Sequence, residues 1–100
     1  MPKAVIFAPL AERDLEEIAD YIAADNPERA LSFVRELRER CGKLAEFSRS
    51  ARPFPPLGND AHMLPYENYI IIYRDLPSEV SVERIVHGAR NIAALVSAKN

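Results

Sequence analysis

The sequence predicts a two-layer α+β domain in the order β-α-α-β-β-β. Three observations point there. A short β-branched and aromatic run opens the chain, two stretches of helical apolar periodicity follow, and two strand-like runs separated by a short polar turn stand near the end. The 100 residues fit one domain, 1–100, which is long enough to bury one modest core without a metal or disulfides.

Lys3-Ala4-Val5-Ile6-Phe7 reads as the first strand, and Pro9 ends it while fitting the first turn of a helix. That helix spans Leu10 to Ala24. Leu15, Ile18, Ala19 and Ile22 recur at three- and four-residue spacing and make its apolar face. Glu12, Arg13, Asp14, Glu16, Glu17 and Asp20 are assigned to the opposite face, with acids toward the N-terminal end where the helix dipole favours them.

Asp25-Asn26-Pro27-Glu28 breaks and restarts the helix: Asn26 is a good N-cap, Pro27 fits N1 and Glu28 sits in the first turn. The second helix is expected to run to about Glu46. Ala30, Val34, Leu37, Cys41 and Leu44 form its seam, widened by Leu31 and Phe33. Arg35/Glu39 and Glu36/Arg40 are expected as i, i+4 pairs on its exposed side. Gly42 inside it is unfavourable, and marks fraying or close packing. So short a link makes the two helices an antiparallel hairpin, whose apolar seams need a sheet to cover them.

Ser48 to Asp60 is read as a loop, since its three prolines and one glycine break regular structure. Ala61 to Leu64 is a short strand and Pro65 to Asn68 a turn. Tyr69 to Arg74 and Val80 to His87 then form a hairpin closed by Asp75 to Glu79. Tyr69 and Tyr73 share one strand face by their even separation and are assigned to core packing. Arg90 to Ala98 is expected to end the domain as a short helix with Ile92, Leu95 and Val96 on one side.

The formal net charge of −2 gives no global field for nucleic acid. The helical half, residues 1–47, carries the acidic excess, with seven Lys or Arg against ten Asp or Glu. The only cysteine, Cys41, excludes an internal disulfide and points to a reducing, cytoplasmic setting. It is read as a small core residue. No stretch has the length of a membrane span or the pattern of a secretory leader. No Cys/His cluster suggests zinc, no Gly-rich loop a phosphate site and no nucleophile arrangement hydrolysis, so neither a cofactor nor a catalytic residue is assigned. His62 and His87 fall on different strands. His87 ends the last one beside Gly88, and its chemistry suits either a contact or acid-base work. Arg74, Arg84 and Arg90 are the basic groups of the terminal hairpin, suited to an anionic partner group.

Four stretches, taken together and in this order, resemble the ParE-type toxins of the RelE/ParE superfamily, the plasmid stabilisation family of toxin–antitoxin modules. They are Pro9–Ile18 with Tyr21-Ile22-Ala23, Asp25–Ala30, Leu44–Phe47 with Arg52-Pro53, and the sheet segments Leu64-Pro65, Tyr69–Arg74 and Ile85–Asn91. His62 stands where such proteins often carry a strand arginine. The resemblance implies a helical hairpin on a mostly antiparallel four-stranded sheet. It further implies a ParD-like antitoxin whose disordered C-terminal segment folds onto the toxin. The implied effect is growth arrest through DNA gyrase, without chemistry by the toxin and without direct nucleic-acid binding. The alternatives in the superfamily are ribosome-dependent mRNA cleavage, using His87 with Arg84 or Arg90, and a homologue that only binds antitoxin. On this reading Arg74, Arg84, His87, Arg90 and Asn91 are target-contact candidates. Leu15, Ile18, Ile22, Val34 and Leu37 are antitoxin-binding candidates.

Overall fold

A computed structural model describes residues 3–88. Strand β1 (Ala4–Phe7) leads into helix α1 (Pro9–Ala23), helix α2 (Pro27–Gly42) and a single helical turn, α3 (Leu44–Phe47). A two-residue strand, β2 (Arg52–Pro53), and a 3-10 turn (Pro55–Leu57) precede the long strands β3 (Ala61–Tyr66), β4 (Tyr69–Asp75) and β5 (Glu79–His87). The sheet runs in the order β1-β5-β4-β3-β2. Among the described residues only β1 and β5 pair in parallel; the other pairs are antiparallel.

The sheet therefore has five strands where four are expected. The extra one is β2, an edge strand paired through Arg52/Met63 and Pro53/His62. Proline is tolerated at an edge because it need donate no ladder hydrogen bond, so the prolines that made this stretch read as loop hide a strand. At Gly58 the backbone takes φ 127, a region that favours glycine, before β3 begins. The other misplaced boundary is the second helix. It stops at Gly42 and resumes at Leu44 instead of running on to Glu46. A Cβ at Gly42 would meet nothing within 4 Å, so close packing is not what places glycine there. The predicted final helix, Arg90 to Ala98, lies outside the described residues.

Local signals act as expected at the hairpin turn. The Asn26 side chain accepts the Arg29 backbone N–H at 3.1 Å, with Pro27 at the first helical position. The helices then bury Ala11, Leu15, Ile18, Phe33, Leu37 and Cys41 against Ile71, Tyr73, Val80, Val82 and Ile85. Leu44 of α3 joins this cluster. Burial pushes the Cys41 thiol up to about 12, which leaves it inert as a nucleophile at neutral pH. Tyr69 and Tyr73 both pack on the helix side, as their spacing predicts. The opposite sheet face has its own smaller cluster, where Phe54 and Leu57 from the proline-rich segment cover Ala61, Ile72 and Val86.

Two features depart from a regular sheet. In β5, Val80 and Val82 face the helices, but so does Ile85, not residue 84. The register shows why. Ile72 stands opposite Arg84 and Tyr73 opposite Val82, so Glu83 is an extra residue, a β-bulge that reverses the alternation. The hairpin β3-β4 closes on two loop residues, Glu67 and Asn68, between the Tyr66/Tyr69 pair. Glu67 holds φ 53, a left-handed conformation that a glycine adopts without the steric cost of a Cβ.

Ion pairs also differ from the i, i+4 pattern. Glu36 accepts Arg29 at 2.9 Å and the Tyr66 hydroxyl at 3.1 Å, because its side of α2 borders the β3-β4 hairpin. Arg38 reaches Glu12 on α1 at 2.7 Å and lies 5.1 Å over the Phe7 ring. At the start of β1, Lys3 bonds Asp75, which Arg49 also approaches at 3.4 Å. Burial pushes the Asp75 carboxyl up, but hydrogen bonds from Lys3, Ser48 and Arg49 outweigh it and leave it below the usual value.

Two outcomes follow for stability. Glu67→Gly relieves the left-handed strain and is expected to stabilise the fold by about 0.5–1 kcal/mol in urea unfolding; a loss would show that the turn depends on the Glu67 side chain. Because the folded-state pKa of Asp75 is depressed, its contribution is present above the unfolded value of about 3.9. It is lost as pH falls through the folded value. Asp75→Asn should therefore be less stable than the parent at pH 7, and should lose less on acidification to pH 2. Parallel pH curves for the two proteins would refute this.

Candidate functional site

The functional candidates converge where β5 outruns its neighbour. β1 pairs with β5 only from Glu79 to Val82, and the last bond on that side runs from the Ala8 N–H to the Val82 carbonyl at 2.8 Å. Past that point α1 replaces β1 alongside β5. Asp14 makes the connection. Its Oδ2 accepts the Ile85 backbone N–H at 2.8 Å and Arg84 Nε at 2.8 Å, while its Oδ1 accepts Arg84 Nη2 at 3.1 Å. Asp14 is 7% exposed, so three donors satisfy a carboxylate that has left water. The hydrogen bond to Asp14 raises the Arg84 pKa, which keeps its charge fixed.

The sequence assigned Asp14 to the polar face of α1, and the structure corrects this. Counting from Ala11, Asp14 stands at i+3, on the same helix side as the apolar positions i+4 (Leu15) and i+7 (Ile18). An acid on a buried stripe is the signal that it has a buried partner.

Between α1 and this edge of β5 lies a groove of about 430 Å³, lined by Asp14, Glu17, Ile18, Tyr21, Tyr69, Arg84, Ile85, Val86 and His87. The Tyr69 ring forms its inner wall and meets the His87 imidazole edge-on, with centroids 5.4 Å apart. Burial, chiefly, raises the Tyr69 pKa. Tyr21 stands on the outer lip, 78% exposed. Tyr69 also packs on Phe33 at 5.7 Å, and Phe33 on Tyr66 at 6.0 Å, so an aromatic row leads from α2 into the groove.

The sequence-predicted residues divide clearly. Arg84 and His87 line the groove. Arg74 does not; it lies at the far end of β4, where Nη2 donates to the Leu57 carbonyl at 3.2 Å and Nη1 is 4.0 Å from Asp60. Arg90 and Asn91 lie outside the described residues. Among the antitoxin-binding candidates, Leu15, Ile18 and Leu37 are 2%, 6% and 0% exposed and belong to the protein's own core. Helix–sheet contacts cover Leu15 and Leu37, and Ile18 also reaches the groove wall. Ile22 and Val34 are half-buried at the margin of the same core. Sequence reasoning missed Asp14, Glu17 and Tyr21 as groove residues.

The other groups weighed as chemistry serve structure. The Tyr73 hydroxyl is buried and donates to the Ser48 carbonyl at 2.7 Å; burial, then the nearby Asp75, pushes its pKa up to about 12. His62 stacks on the Tyr73 ring at 5.3 Å, with Nδ1 3.1 Å from the Ala51 carbonyl. Among the described residues, no group of His, Cys, Asp and Glu could hold a metal ion.

Removing the Asp14 carboxylate orphans the Ile85 N–H and leaves Arg84 uncompensated. Asp14→Ala should cost about 3 kcal/mol in urea unfolding. Asp14→Asn, which can still accept one hydrogen bond, should cost less. Equal, small losses would show that the contact is dispensable.

The fold is shared with components of solved toxin–antitoxin systems. A family profile described as "ParE toxin of type II toxin-antitoxin system, parDE" matches residues 5–92. No curated protein matches significantly. Among solved structures, the chain is similar to one from the chromosomal ParDE toxin–antitoxin system of P. aeruginosa. The TM-score is 0.72 at 23% identity, covering 85% of this chain and 95% of that one. It is also similar to a chain of the RelBE2 toxin–antitoxin complex of Mycobacterium tuberculosis, with TM-score 0.62 and 26% identity, covering 90% of this chain and 95% of that one. With the profile spanning nearly the whole fold, from β1 past the end of β5, the chain belongs to the ParE toxin family of type II toxin–antitoxin systems.

Proposed function

We propose that this toxin arrests growth by inhibiting DNA gyrase through protein contact alone, and that a ParD-like antitoxin neutralises it. The action takes place in the cytoplasm, where gyrase works. The family supports the toxin role, and the solved relatives are components of toxin–antitoxin systems. Among the described residues, no helix is long and apolar enough to cross a membrane.

The observation that carries the non-catalytic reading is the engagement of the sheet's polar groups. RNA cleavage at a 2′-hydroxyl needs a base, an acid and cations free to meet the phosphate. Here the Arg84 guanidinium is held by both Asp14 oxygens, and Arg74 is spent on Leu57 and Asp60. The Tyr73 hydroxyl is buried on a backbone carbonyl. Arg84 and His87 then serve as a shaped edge for protein contact, with Arg90 and Asn91 next along the chain. The antitoxin segment covers the α1-β5 groove, the half-buried Ile22 near the end of α1, and Val34 in a separate shallow depression on α2, and it gains affinity by desolvating surface that the core leaves exposed.

One observation favours the second reading. His87 is exposed at the mouth of the groove and is the residue there best suited to acid-base work. Two assays separate the readings. The purified chain should inhibit gyrase supercoiling near stoichiometry, and added ParD-like antitoxin should restore it. No inhibition at large excess overturns the gyrase reading. Cleaved mRNA in a translating extract, lost on His87→Ala, would assign the RelE-type endonuclease instead.

A further inference from the structure

We infer that the α1-β5 groove is an anchor point for one cationic side chain, arginine or lysine, of a bound peptide, held between the Tyr21 and Tyr69 rings and drawn in by Glu17. This deepens the neutralisation reading and rests on it for the occupant's source, a segment of the antitoxin.

Charge comes first. Arg84 is the groove's own cation, but both Asp14 oxygens match it, so it presents little net charge to a ligand. Glu17 adds a second carboxylate, close enough to act on Arg84 through space. Its contact with Arg13 is a surface i, i+4 pair at 3.8 Å with both side chains about 70% exposed, an arrangement that holds weakly. The groove lining thus sets two carboxylates, Asp14 and Glu17, against one guanidinium, which favours a cation over an acidic peptide.

The rings come second. Tyr21 keeps most of its surface in water on one lip, while Tyr69 is fixed from behind by Phe33 and from the side by His87. A guanidinium or ammonium over such faces is attracted by the ring quadrupole. The fold already builds this unit once from its own residues. Arg29 lies 5.0 Å over Phe33 and pairs with Glu36 at 2.9 Å, a cation between ring and carboxylate, and the Phe33 ring is the neighbour of Tyr69. At the groove Tyr21 and Glu17 are exposed and Tyr69 is half-buried, and about 430 Å³ admits a long side chain with its flanking residues.

The probe is the peptide Ac-Ser-Leu-Arg-Leu-Ser-NH2, titrated into the isotope-labelled chain by NMR. Controls carry citrulline, the uncharged isostere, or glutamate at the centre. The arginine peptide should shift the Glu17, Tyr21, Tyr69 and His87 signals saturably, and the citrulline peptide should bind about fivefold more weakly. Glu17→Gln and Tyr21→Ala are surface changes that leave the other signals in place. Each should weaken the arginine peptide about threefold, and Glu17→Gln should leave the citrulline peptide unaffected. Equal affinities for all three peptides, shifts elsewhere, or no shifts at millimolar peptide would overturn the anchor. An antitoxin that neutralises Glu17→Gln and Tyr21→Ala as well as the parent would also overturn it, leaving neutralisation standing. Arginine-selective binding without any neutralising antitoxin would keep the anchor and overturn the neutralisation reading.

Discussion

One carboxylate fixes how the last strand leaves the sheet. Past Val82, β5 continues to His87 with no strand on its outer side among the described residues, and an edge N–H turned away from water must find an acceptor. Asp14 supplies it for Ile85 and at the same time holds Arg84 in a two-pronged grip. Leaving the N–H unpaired would cost about 1–3 kcal/mol, and leaving the guanidinium half-buried without a counter-charge would cost more. The strand carries one extra residue, Glu83, just before this contact, and the Arg84 side chain and the Ile85 N–H then meet the same helix position. Bulge, contact and the groove between strand and helix thus lie together on one stretch of β5.

The same logic operates at the other end of the sheet. β1 pairs with a strand more than seventy positions away, the most distant pairing in the sheet. Lys3-Asp75 and Asp14-Arg84 close loops with sequence separations of 72 and 70. Loop-closure entropy grows only slowly with length, so a few part-buried polar contacts and a four-residue ladder suffice once the helices cover the sheet. β1 and α1 are thus attached to the final hairpin at two points, one on each side of the β1-β5 ladder.

Much of this was legible in the residues. Three- and four-residue spacing in α1 and α2, the Asn26-Pro27 restart and the β-branched runs gave the layers and their order, because each signal is local. What failed was non-local. Amphipathic spacing marks a face as buried but cannot say what covers it, so Leu15, Ile18 and Leu37 read equally well as core or as partner surface; the sheet takes them. Strict alternation through β5 would put residue 84 beside Val80 and Val82. The adjacent Ile85-Val86 pair was the trace of the bulge, legible only once Asp14 is seen to sit on the apolar stripe. Arg84 read as a cation suited to a partner's anionic group for the same reason, since the carboxylate that holds it lies 70 residues upstream.

These corrections also constrain how a partner can bind. A ligand that needed Leu15 or Leu37 would have to pull the helices off the sheet and lose the burial that holds the fold together. A ligand in the groove meets side chains the core does not require: Tyr21 on the lip, the face of Tyr69, and Glu17 in its weak surface pair. Such a site is formed before the ligand arrives, so binding is not taxed by rearrangement of the toxin. A ligand touching both α1 and β5 also spans the junction that Asp14 secures. Its free energy adds to native-state stability by mass action, with the largest share at the strand edge where the sheet alone provides least. With Leu15 and Leu37 held by the sheet, a ligand in the groove displaces no core on binding.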